Sequence, residues 1–249
     1  MISRRHFVGF TTVFASLAKL SCADDSIDGF VARVQKSAQG VTRPYRLFIP
    51  PQYDSQKKKY PLVLWLHGAG SVGSDNRKQV TLDSIQGTHV WITMANQMKY
   101  PAFVVAPQCP PGRTWNTSGE LSVVLEVLDS LQKEFSIDSR RLYVSGQSMG
   151  GYGTWELIAE KPVLFAAAVP LCGGGNVATA GSISKVPIWA FHGSADRVVS
   201  VNESRKMITA IKNAGGNPRY TEYPGVGHEV WLHAFNEPGL IDWLFAQHR

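Results

Sequence analysis

Cysteine is scarce in this chain, with three residues in 249. That number cannot build a disulfide framework or a thiolate-rich zinc site. There is no H-E-x-x-H run and no Cys/His cluster at ligand spacing, so no metal is expected. There is no glycine fingerprint for a dinucleotide either, since His67-Gly68-Ala69-Gly70 lacks the required spacing, and no cofactor is expected. No stripe of Lys and Arg alternates with aromatics, which argues against nucleic acid as a partner. The basic run Lys57-Lys58-Lys59 reads as a solvated loop. No apolar run is long enough for a membrane span. Linkers, repeats and low-complexity segments are also missing, so residues 24–249 are expected to form one domain.

The first 23 residues contain no acid. Arg4, Arg5 and Lys19 supply three of the six net positive charges of the whole chain. Ser3-Arg4-Arg5-His6-Phe7-Val8 resembles a twin-arginine export signal, followed by a short apolar stretch from Val8 to Leu20. Ser21-Cys22-Ala23 offers small residues for cleavage, and Cys22 as a lipidated first residue is the alternative. The expectation is an exported protein, periplasmic or extracellular.

What is present is a β/α alternation. Short β-prone segments recur at 30–34, 45–49, 61–66, 102–106, 141–145, 165–171, 187–191 and 219–223. Pro61 to Leu66 is almost continuously apolar, as a parallel strand covered on both faces should be. Thr117-x-x-Glu120 reads as a capping box opening a helix whose apolar face is Leu121, Val124, Leu125, Leu128, Leu131 and Phe135. A second helix is expected, capped by Ser200-x-x-Glu203 and stopping at Gly215-Gly216, and a last one from Ile241 to Gln247. Residues 71–88 read as a loop with at most a short helix from Arg77 to Ile85. The fold class is α/β, a mostly parallel sheet with helices on both faces. About 15 residues separate the strand ending at Leu171 from the next, too few for a lid domain.

Gly146-Gln147-Ser148-Met149-Gly150 lies between a strand and a helix, the context of a nucleophile elbow. A serine hydroxyl is a weak nucleophile at neutral pH and needs a base, which needs an orienting acid. In such folds the chain order is serine, acid, histidine. His228, in the loop after the last strand, is the expected base, with His233 as the alternative. Asp196 follows a buried strand and is the expected acid. His192 directly ends that strand and reads as structural, as does His67. The N–H groups of Met149 and Ala69, or of Gly70 in place of Ala69, are expected to face the oxyanion. Trp115 and Trp231 fall at the same edge and are expected to contact substrate.

Leu66-His67-Gly68, Ala106-Pro107-Gln108-Cys109, the run from Gly146 to Trp155, the His192 to Asp196 loop and Gly227-His228 resemble the α/β-hydrolase superfamily. The resemblance is strongest to its exported esterase branch, with feruloyl-esterase-like and polyhydroxybutyrate-depolymerase-like members, and covers residues 28–249. It implies an α/β-hydrolase fold and the same roles for Ser148, Asp196 and His228. Alanine at 69, where depolymerase-like members often have cysteine, departs from that subgroup. In this fold Cys109 and Cys172 follow strands separated by two others, about 14 Å at the usual strand spacing, too far for a bridge. Both are expected as free, buried thiols. The expected partner is a small-molecule ester, short-chain or aryl. A peptidase on the same triad and a non-catalytic binding protein are the alternatives.

Overall fold

The computed structural model describes residues 25–37 and 40–249. The expected export signal, with Arg4, Arg5 and Cys22, lies outside the described residues. The strands are β1 (Phe30–Lys36), β2 (Thr42–Phe48), β3 (Tyr60–Leu66), β4 (Phe103–Pro107), β5 (Ile137–Gln147), β6 (Ala167–Leu171), β7 (Trp189–Gly193) and β8 (Arg219–Tyr223). They form one sheet in the order β1-β2-β4-β3-β5-β6-β7-β8. β1 and β2 run antiparallel to their neighbours, and the six strands from β4 to β8 across the sheet are parallel. The carboxyl ends of β3, β5, β6, β7 and β8 therefore share one edge.

The helices are α1 (Ile85–Ile92), α2 (Met94–Lys99), α3 (Glu120–Glu134), α4 (Met149–Glu160), α5 (Ala180–Ile183), α6 (Asn202–Asn213), α7 (Trp231–Ala234) and α8 (Leu240–Ala246). Successive strand side chains point to opposite faces. In β3, Leu62, Leu64 and Leu66 join a core with residues of α3, α4 and α6. Val63 and Trp65 point the other way, into a core with Trp91, Trp231 and Leu244. Two filled faces explain why β3 has no polar residue. Among the described residues no helix is long and apolar enough to cross a membrane.

Three expectations need correction. Neither the Thr117-x-x-Glu120 nor the Ser200-x-x-Glu203 pair is a capping box, since Val201 holds the N-cap of α6 with no side-chain bond. The α3 N-cap is Gly119 at φ +86°, and no side chain caps it. Thr117 Oγ1 accepts instead from the Thr114 N–H at 2.9 Å. Glu120 is buried and held by Arg43 and Arg113, because a buried carboxylate needs cationic partners more than a helix end needs a cap. Residues 77–85 do not form one helix. Two 3₁₀ turns, Lys78–Val80 and Leu82–Ser84, are separated where Thr81 is extended, and Leu82 stands at φ +51°. α1 and α2, unexpected from sequence, follow. The gap after β6 holds a 3₁₀ turn, Val177–Thr179, and the single-turn α5.

Candidate active site

Ser148 stands between β5 and α4 at φ +53°, ψ −116°. A β-carbon is strained in such a conformation, at a cost of about 1–3 kcal/mol. The surroundings hold it there: the Ser148 N–H donates to the Leu171 carbonyl at 2.9 Å and its carbonyl accepts from Tyr152 N–H at 3.0 Å. The flanking glycines have a steric reason. A β-carbon on Gly146 would collide with the Gly150 carbonyl, and one on Gly150 would collide with the Leu66 carbonyl. Strand β3, strand β5 and helix α4 meet too closely for any side chain at either position.

The loop after β8 brings His228 to this serine. Its Nε2 lies 2.9 Å from Ser148 Oγ, and its Nδ1 lies 2.7 Å from Asp196 Oδ2. The loop after β7 supplies Asp196, whose Oδ1 accepts from the N–H groups of Val198 at 2.8 Å and Val199 at 2.9 Å. Burial alone would raise the Asp196 carboxyl. The His228 N–H and the two backbone donors outweigh burial and hold it below the usual carboxylate range. Asp196 is thus anionic, fixed, and aimed at the imidazole.

His192 is also bound to this acid. Its Nε2 is 3.0 Å from the Val199 carbonyl and 3.3 Å from Asp196 Oδ2, and its Nδ1 is 2.7 Å from Ser204 Oγ. Burial lowers its pKa, so the ring is neutral. Carbonyl and carboxylate both face Nε2, so Nε2 carries the proton, while the Ser204 hydroxyl lies between Nδ1 at 2.7 Å and the Gly173 carbonyl at 3.1 Å. His192 is therefore a buttress for the acid, as its strand-end position suggested. His67 anchors the neighbouring loops: its Nε2 accepts from Cys109 N–H at 3.0 Å. His233 lies on α7 with its ring tilted against Tyr223.

Ala69 opens a 3₁₀ turn, Ala69–Ser71, and Met149 opens α4. First-turn N–H groups have no partner within a helix. The two tryptophans are placed differently from expectation. Trp115 is wholly buried and donates its Nε1–H to the His67 carbonyl at 2.9 Å, so it supports the loop from beneath. Trp231 is 6% exposed and meets the His228 ring edge-on at 5.7 Å. It supports the His228 ring and offers little surface to a substrate. Aromatic residues at the right edge of a sheet pack inward whenever the neighbouring elements leave room, which their sequence position does not reveal.

Sequence reasoning missed one neighbour of the site. Cys172, buried directly after β6 at φ +38°, lies with Asp196 and His228 so that one ligand atom of each is within 4.8 Å of the others. The only signal was its place after a strand at the catalytic edge. As expected, Cys109 and Cys172 are free and buried, on strands separated by β3 and β5. Burial raises both thiols, Cys109 to about 12 and Cys172 further.

A family model described as "Putative esterase" matches residues 37–219. The chain is 32% identical over 172 residues to a bifunctional acetylxylan esterase/xylanase of Neocallimastix patriciarum, covering 68% of this chain and 23% of that protein. It is 26% identical over 210 residues to a probable feruloyl esterase C of Aspergillus terreus, covering 83% of this chain and 74% of that protein. The crystal structure of a thermostable esterase superposes with a TM-score of 0.86 at 42% identity, covering 90% of this chain and 64% of that one. With a strained serine between β5 and α4 on a mostly parallel eight-stranded sheet, and a family match over most of its length, the chain belongs to the esterase family of α/β-hydrolases.

Proposed function

We propose that this chain is a serine carboxylesterase working through an acyl-enzyme. The observation that carries the reading is the run of two hydrogen-bond contacts, 2.9 Å from Ser148 Oγ to His228 Nε2 and 2.7 Å from His228 Nδ1 to Asp196. His228 Nε2 takes the hydroxyl proton as Ser148 Oγ adds to the ester carbonyl. Asp196 stabilises the imidazolium that results. The Ala69 and Met149 N–H groups receive the oxyanion, each such donor being worth about 3 kcal/mol. Collapse breaks the ester C–O bond, and His228 returns the proton to the leaving alkoxide. Water then repeats the addition, with His228 again as base, and releases the acid. Labelling with a fluorophosphonate tests the reading, since only an activated serine reacts. Peptide anilides run beside esters separate it from a peptidase.

The substrates we propose are short-chain or aryl esters. The relatives named for acetylxylan and feruloyl esters place acetyl and feruloyl groups first in the panel. Ala69 and Gly70 are exposed, and Val198 in the acid loop is 72% exposed, so the site opens toward solvent. Each buried methylene gains about 0.8 kcal/mol, a gain that needs a covering wall, so activity is expected to fall beyond roughly eight acyl carbons. A profile of p-nitrophenyl esters of graded length checks this. A maximum at long chains, or a jump in rate above the solubility limit, would show a lipase instead.

We further propose export through the twin-arginine pair. Arg4→Lys with Arg5→Lys is expected to leave precursor in the cytoplasm, read by fractionation. Normal export of the double variant would refute the route.

A further inference from the structure

The mechanism leaves Cys172 unused, yet its thiol shares a space of 4.8 Å with ligand atoms of Asp196 and His228. Sulfur, imidazole nitrogen and carboxylate oxygen are the three ligand types that zinc accepts. We propose that these three residues form an inhibitory site for a borderline-soft divalent cation such as Zn²⁺, sharing two residues with the proposed triad. The inhibition, though not the binding, rests on the serine-esterase reading above.

The geometry needs a small adjustment. Zinc with bonds of about 2.0–2.3 Å holds tetrahedral ligand atoms about 3.5 Å apart. Nδ1 and Oδ2 stand at 2.7 Å and would spread, while the sulfur closes in. Two sides of this space are already rigid. Val198 and Val199 N–H groups fix the other carboxylate oxygen, and His192 Nε2 stands 3.3 Å from Oδ2 itself. The ion enters past His228, whose side chain is 18% exposed, because Cys172 and Asp196 are closed off from solvent.

Charge balances in the bound state. The Cys172 S–H bond breaks, a sulfur–zinc bond forms, and the proton goes to solvent. Thiolate and carboxylate together neutralise the ion, so no net charge is buried. The proton on His228 Nδ1 moves to Nε2 as zinc takes Nδ1. Nε2 then points a hydrogen at Ser148 Oγ and cannot accept its proton. Zinc thus inhibits by fixing the wrong tautomer, without filling the substrate cleft. In an ester assay it should lower kcat with little change in KM.

The test uses the full chain with Cys22→Ala and Cys109→Ala, so that Cys172 is the single thiol of the three. Cobalt(II) serves as the spectroscopic probe and zinc as the inhibitor. One equivalent of cobalt should give a thiolate charge-transfer band in the near ultraviolet and the intense visible bands of a tetrahedral ion. Zinc should displace the cobalt and abolish hydrolysis of p-nitrophenyl acetate, and a chelator should restore it. Adding Cys172→Ala should remove the thiolate band and raise the zinc needed for half-inhibition by about 100-fold, relative to that variant's own rate. Absence of the band in the single-thiol protein overturns the site without recourse to any Cys172 variant. Equal zinc sensitivity with and without the thiol also overturns it. A band without inhibition leaves the metal site standing and strikes at the catalytic reading instead, which fluorophosphonate labelling then checks separately.

Discussion

Replacing Ser148 by alanine is expected to leave a folded protein whose ester hydrolysis has dropped by a factor of about 10⁴ or more. The fold should persist because alanine keeps the β-carbon and adds no bulk. The strain at φ +53° is the same for both residues, and the backbone bonds to Leu171 and Tyr152 do not involve the hydroxyl. The loss should be large because no acyl-enzyme forms without the Oγ, leaving only the oxyanion donors and binding to accelerate attack by water. Circular dichroism and a thermal melt establish folding, and steady-state hydrolysis of p-nitrophenyl acetate gives the rate. Wild-type turnover in the purified variant would remove Ser148 from the mechanism.

His228→Ala is expected to be about as damaging, because base and nucleophile act as a unit. The Ser148→Ala, His228→Ala double variant should be no worse than the poorer single one. An additive loss, multiplying the two factors, would mean that the residues act in separate steps. Asp196→Asn should cost less but still orders of magnitude. An amide in place of the carboxylate offers N–H where His228 Nδ1–H needs an acceptor, and turns the imidazole to the wrong tautomer. His233→Ala supplies the control. Its ring lies against Tyr223, and its loss should leave the rate within a factor of about two. If His233→Ala abolishes hydrolysis and His228→Ala does not, the assignment of the base fails.

The helices and strands show where local information ends. The apolar face of α3 buries Leu121, Val124, Leu128 and Leu131 at the spacing visible in the sequence. The start of that helix was misread, since Glu120 answers to Arg43, 77 residues away, and not to Thr117. α1 and α2 carried no clear period, and Trp91 of α1 is buried against Phe235 and Phe245 near the other end of the chain.

The elbow is legible in the sequence because most of its causes are local. A strand, a serine, two glycines and a helix follow one another in the chain, and the collisions that forbid side chains at 146 and 150 come from the turn itself and from β3 directly beside it. The order of serine, acid and histidine is legible there too, since topology fixes which loops reach the edge. Which side chains meet there is set by packing between distant parts of the chain. Ser148 and His228 are 80 residues apart, and His228 and Asp196 are 32 apart. Their contacts depend on three loops leaving β5, β7 and β8 with the right length and direction. The same packing turned Trp115 under the His67 loop, laid Trp231 against His228, made His192 a neutral brace and put the Cys172 sulfur near Asp196 and His228. Burial and long-range hydrogen bonding set those outcomes, and neither is a property of neighbours along the chain.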